Sequence, residues 1–75
     1  MALNSKEFEE LLNLHGLVWQ VSSIADREKM LKRTVLDVPQ QRAILQENWW
    51  DLNRWTQTQL IRGIFWFIQT REWET

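Results

Sequence analysis

At 75 residues the chain has room for one core, close to the lower size at which a domain folds without covalent or metal staples. It has no cysteine and a single histidine, His15, which excludes disulfides, thiolate metal sites and cysteine nucleophiles and leaves no ligand set for a structural zinc. A net charge of -1 gives no whole-molecule attraction to nucleic acid or anionic lipid, while 44% hydrophobic and 25% charged residues describe a globular chain, not a disordered one.

Six tryptophans must then supply much of the burial or of the binding surface, because indole hides a large apolar area at low rotamer cost. Met1-Ala2-Leu3-Asn4-Ser5 has neither the basic stretch nor the long apolar run of a signal peptide. Leu60 to Ile68, the most apolar run, contains Arg62 and falls well short of the roughly twenty residues of a membrane span. The expectation is a cytoplasmic, single helical domain over residues 1–75.

Leu3-Asn4-Ser5-Lys6-Glu7-Phe8 carries a helix start. Asn4 stands at the N-cap, Glu7 at the capping-box position, and Leu3 and Phe8 at the two positions of a hydrophobic staple. Phe8, Leu11, Leu12, His15, Val18 and Trp19 follow at spacings of three and four, on one helical face, with Gly16 as a possible early stop.

Ser23, with Asp26 three residues on, caps a second helix, whose narrow apolar stripe is Ile24, Leu31 and Val35 with Met30 beside it. Asp37 and Gln40 flank Pro39 as another capping box, and proline suits a first turn because its missing N–H is no loss there. The stretch to Trp55 places Ile44, Leu45, Trp49, Leu52 and Trp55 on one face.

Residues 60–68 are apolar on a face turned by about 150° from that of residues 44–55, at roughly 100° per residue. A break between them is therefore expected at Thr56-Gln57-Thr58-Gln59, with Thr56 as the cap of a fourth helix. A competing pair of strands, 16–21 and 63–68, lacks alternation and a hairpin signal, so the fold class is all-α: a small bundle of three to four short helices, self-associating through its Trp-rich C-terminal half. The expected core is Phe8, Leu11, Leu12, Trp19, Leu31, Ile44, Trp49, Leu52, Leu60, Ile64 and Ile68, with Trp55 alongside.

No catalytic constellation stands out. The carboxylates Glu7, Glu9 and Glu10 suit a helix N-terminus, Glu47 and Asp51 a solvated face, and no phosphate loop, nucleophile elbow or paired-histidine motif is present. His15 reads as a core-edge histidine bonded to a backbone carbonyl, in preference to a pH switch.

Trp50 and Trp66 are the exceptions among the indoles, since each projects from the polar side of its helix with an arginine four residues away, Arg54 and Arg62. Tryptophan and arginine dominate binding hot spots. The function expected is non-enzymatic, a protein-interaction module whose partner is another protein or a second copy, with Trp50, Arg54, Arg62 and Trp66 as its contact residues and no cofactor or small-molecule ligand indicated.

Two alternatives accompany it. Lys29, Lys32, Arg33 and Arg42 fall in a locally basic stretch that would suit a small nucleic-acid-binding regulator, although the charge excess is slight and a solvated face explains it as well. Residues 60–73 would suit peripheral membrane attachment through tryptophan and arginine at the lipid interface.

Overall fold

A computed structural model describes residues 4–70, which form α1 (Ser5–Val21), α2 (Ile24–Leu31), α3 (Val38–Ile44), a 3-10 turn over Trp49–Asp51 and α4 (Arg54–Thr70). No strand occurs among the described residues, so the protein is a small all-α bundle, and the two segments weighed as strands lie inside α1 and α4.

The local start signals work as the sequence implies. Asn4 Oδ1 accepts from the Glu7 N–H at 2.8 Å, Ser23 Oγ from Asp26 at 3.1 Å, and Asp37 with Gln40 forms the reciprocal capping box around Pro39. The Leu3 half of the staple lies outside the described residues.

Gly16 does not stop α1. The helix runs on to Val21, and a Cβ built at Gly16 would stand 2.3 Å from Cδ1 of the Trp49 indole, so the glycine is the notch that seats this ring. Gly63 plays the same part between α4 and α2, where an added Cβ would lie 2.0 Å from the Met30 carbonyl oxygen.

The expected third helix, running to Trp55, is corrected. α3 ends at Ile44, and residues 45–53 leave the helical path because tertiary partners claim their backbone groups. The Trp19 indole N–H donates to the Glu47 carbonyl at 3.0 Å, and the Trp49 N–H donates to Gln20 Oε1 at 2.6 Å. Gln57 Nε2 donates to the Trp49 carbonyl at 2.9 Å, and Arg27 Nη1 to the Leu45 carbonyl at 3.1 Å. Each of these carbonyls or amides sits where a buried donor or acceptor needs it, and an unpaired buried group costs more than a broken helical turn.

The break thus falls at residues 45–53, not 56–59, and Thr56 is not a cap. Asn53 caps α4 instead, accepting from the Thr56 N–H at 2.8 Å, as Asn48 caps the 3-10 turn through the Trp50 N–H at 2.9 Å.

The core is assembled from Leu12, Trp19, Met30, Leu31, Leu36, Trp49, Leu60, Ile64 and Phe67. Of the expected core, Phe8, Leu11, Ile44 and Leu52 are only half-buried, and Ile68 is exposed. Trp55 is 55% exposed: with the helix broken before it, the ring lies in a shallow cleft with Leu36, Gln40, Ala43 and Ile44 instead of entering the core. On α2 the buried pair is Met30 and Leu31; Ile24, at the first residue of the helix, is exposed, and so is Val35, because the helix ends before Val35 can join its stripe.

α1 and α4 run side by side in the same direction. Glu9 near the start of α1 pairs with Arg54 at the start of α4, and Val18 and Val21 near the end of α1 share a cleft with Phe67 and Ile68 near the end of α4. α2 crosses α4 on its other flank, through Gly63, and α3 lies at the periphery with no fully buried residue.

Candidate interaction surfaces

The structure separates the two Trp/Arg pairs. Trp50 sits in the turn capped by Asn48 and is 51% exposed, with its indole N–H 3.4 Å from Asn13 Oδ1 on α1. That single tether orients the ring without burying it. Arg54 does not stack on Trp50, because a helix through residues 50–54 would be needed for the four-residue spacing to bring them together. It pairs with Glu9 and stands 5.9 Å above the Phe8 ring.

Trp66 lies on the opposite flank of α4 and is half-buried against the end of α2 and the turn after it, where the Arg33 guanidinium covers its ring at 4.1 Å from the centroid. Arg62, one turn earlier, is exposed. Trp66 is therefore partly covered by its own chain, whereas half of Trp50 is open to solvent.

Lys29, Lys32 and Arg33 line one cleft with Trp66, and Arg42 lines a neighbouring one with Lys32, Glu28, Val38 and Gln41. The basic residues of α2 and α3 are thus brought close, with Lys32 between the two clefts and a carboxylate among them. Arg27, on the same helix as Lys29, is no surface charge. It is buried, with Nε donating to the Trp19 carbonyl at 2.9 Å, Nη1 to the Leu45 carbonyl, and its guanidinium 4.6 Å from the centroid of the Trp19 ring. Both carbonyls belong to helix C-termini, the negative ends of their dipoles, which is what a buried cation requires. Burial pushes the Arg27 guanidinium below its ordinary pKa.

His15 is also buried. Nδ1 lies 2.8 Å from the Leu11 carbonyl, and because a carbonyl only accepts, Nδ1 carries the proton in the neutral ring and Nε2 is the acceptor. Nε2 is buried without a hydrogen-bond partner among the described residues.

A third surface is one that the sequence does not single out. On α1, Leu11, Leu14, Val18 and Val21 recur at spacings of three and four on the flank toward α4, and Leu17 adjoins them. On α4, Ile61, Phe65 and Ile68 do the same on the flank toward α1. Leu14, Leu17, Val21, Phe65 and Ile68 are all exposed. The signal was present in the sequence as apolar residues spread over more of each helix than one core face can cover. No family model, curated protein or solved structure matches the chain.

Proposed function

We propose that this chain is a non-enzymatic protein-interaction module that binds another protein or a second copy of itself through exposed indole and apolar helix surface. The observation that carries the proposal is the amount of large apolar surface left uncovered. Leu14, Leu17, Val21, Ile24, Val35, Val38, Trp50, Trp55, Phe65 and Ile68 stand between 41% and 85% exposed. Scattered single residues of this kind are ordinary, but contiguous apolar surface marks a contact site.

Trp50 has the character of an anchor, a half-exposed indole pre-oriented by Asn13 with the Arg54–Glu9 pair at the start of α4 as polar surroundings. Trp66 and Arg62 form a second, separate contact on the α2 side. No described helix is long and apolar enough to cross a membrane.

The test is capture of partners from the native cell by the full chain and by Trp50→Ala and Arg62→Ala, with folding checked by circular dichroism. Loss of a specific partner in a folded variant supports the proposal. Two folded variants that keep every association of the parent remove these residues from the contact.

A second reading is favoured by one observation, the cleft in which Lys29, Lys32 and Arg33 gather beside Trp66, a positive groove that suits the phosphates of a nucleic-acid strand. Binding to a single-stranded oligonucleotide that weakens steeply with salt would favour it over the first.

A further inference from the structure

We propose that the uncovered face of the α1–α4 pair is an interface with a second copy of this chain. The proposal rests on the protein-binding function above and names the partner for a surface that the Trp/Arg residues do not form.

Geometry comes first. Leu11, Leu14, Val18 and Val21 on α1, and Thr58, Ile61, Phe65 and Ile68 on α4, each recur at spacings of three and four, the seam along which helices pack against further helices. Because α1 and α4 run in the same direction, the two seams lie side by side as a single ribbon. Val18, Val21, Phe67 and Ile68 also line a concave cleft along it, so the ribbon has relief to receive side chains. Charge borders it: Asp26 at the cleft, the Arg54–Glu9 pair at the start of both helices, and Arg62 one turn from Thr58 and Phe65 on α4.

The area then decides the occupant. Leu14 is 62% exposed, Leu17 55%, Val21 85%, Phe65 55% and Ile68 41%. Together these amount to about three whole apolar side chains, on the order of 400 Å² per copy. Two copies remove about 800 Å² of apolar surface, and at the usual apolar share of about 60% the whole interface comes to roughly 1,300 Å². That is within the size of specific, stable interfaces, at about 1,200–2,000 Å². A two-fold contact needs only that one patch meet itself, and at a net charge of -1 two copies repel one another little.

The test is sedimentation equilibrium of the full chain over a concentration series, beside Leu17→Glu, Phe65→Glu and Val21→Lys. All three positions are exposed, so the variants keep the parent's helical circular dichroism, and Val21, the most exposed, is the control against misfolding. The parent is expected at twice its 9.2 kDa chain mass, and each variant dissociates at least about 100-fold more readily, because a two-fold interface carries the added charge twice. Trp50→Ala stays dimeric. A parent that is monomeric at about 100 μM overturns the proposal and leaves the capture of a different protein to be decided by Trp50→Ala. A dimer that survives all three charged substitutions also overturns it, since the interface then lies elsewhere.

Discussion

Replacing Gly63 with alanine sets two effects of opposite sign against each other. In a helix interior alanine is favoured over glycine by about 1 kcal/mol, so propensity alone predicts a more stable protein. The structure predicts the reverse. The new Cβ would meet the Met30 carbonyl oxygen at 2.0 Å and its carbon at 2.8 Å, with Thr34 Cγ2 at 3.2 Å. The first two atoms are backbone and cannot rotate aside, so relief requires α2 to move away from α4 by more than an ångström. Met30 and Leu31, both fully buried on α2, would lose contact with the core as it moves. Overpacking of this kind costs about 1–3 kcal/mol and occasionally more. With backbone as the obstacle we place the gross cost near 4 kcal/mol and the net loss at about 3 kcal/mol. For a chain of this size each kcal/mol moves Tm by roughly 4–8 °C, so Gly63→Ala should melt more than about 10 °C below the parent. Thermal unfolding followed at 222 nm is the assay, at fixed protein concentration because association would also shift Tm. An unchanged or higher Tm would refute the close approach of α2 to α4.

Four further substitutions test other parts of the account. Arg27→Lys keeps the charge but loses the fork that reaches two carbonyls at once, and chemical denaturation should show a loss of about 2 kcal/mol; a loss under about 0.5 kcal/mol would mean that the Trp19 and Leu45 carbonyls do not need it. His15→Leu removes a buried acceptor with no partner among the described residues, at the cost of the Nδ1 bond to the Leu11 carbonyl, so it should raise stability by at most about 1 kcal/mol, and a loss of more than about 1 kcal/mol would count against an unpaired Nε2. Asn53→Ala should cost about 1 kcal/mol while Thr56→Ala costs under about 0.5, and the opposite order would return the start of α4 to Thr56.

The parts of this fold legible in the sequence are those decided by neighbours three residues apart. Asn4, Ser23 and Asp37 cap their helices because a short polar side chain reaches the N–H three positions on, whatever the tertiary structure does. Asn53 uses the same chemistry, but the Thr56–Gln59 spacing three residues on carries the same local signature and masks it. Residues 45–52 were not legible in this way. Their path is set by hydrogen bonds from Trp19, Gln20, Arg27 and Gln57, which stand up to 29 positions away, and no local pattern encodes those partners. The role of Gly16 is hidden from the sequence for a related reason: a missing side chain signals flexibility locally, and only the packed indole of Trp49 shows that it signals space.

The candidate contacts divide along the same line. Trp50 is exposed, but the Arg54 partner assigned to it by helical spacing belongs to Glu9 and Phe8, because the helix that would have joined them does not exist. The stripe of Leu14, Val18 and Val21 was available to the same periodicity argument, yet it was hidden behind the stronger stripe of Phe8, Leu12 and Trp19 on the same helix.

The claim that the α1–α4 face joins two copies is tested most directly by nuclear Overhauser contacts between chains, in a sample mixed from isotope-labelled and unlabelled protein. Intermolecular contacts from the methyls of Leu14, Leu17, Val21 and Ile68 and the ring of Phe65 are the predicted result. Contacts confined to Trp50 and Trp66, or none at concentrations of about 1 mM, would contradict it.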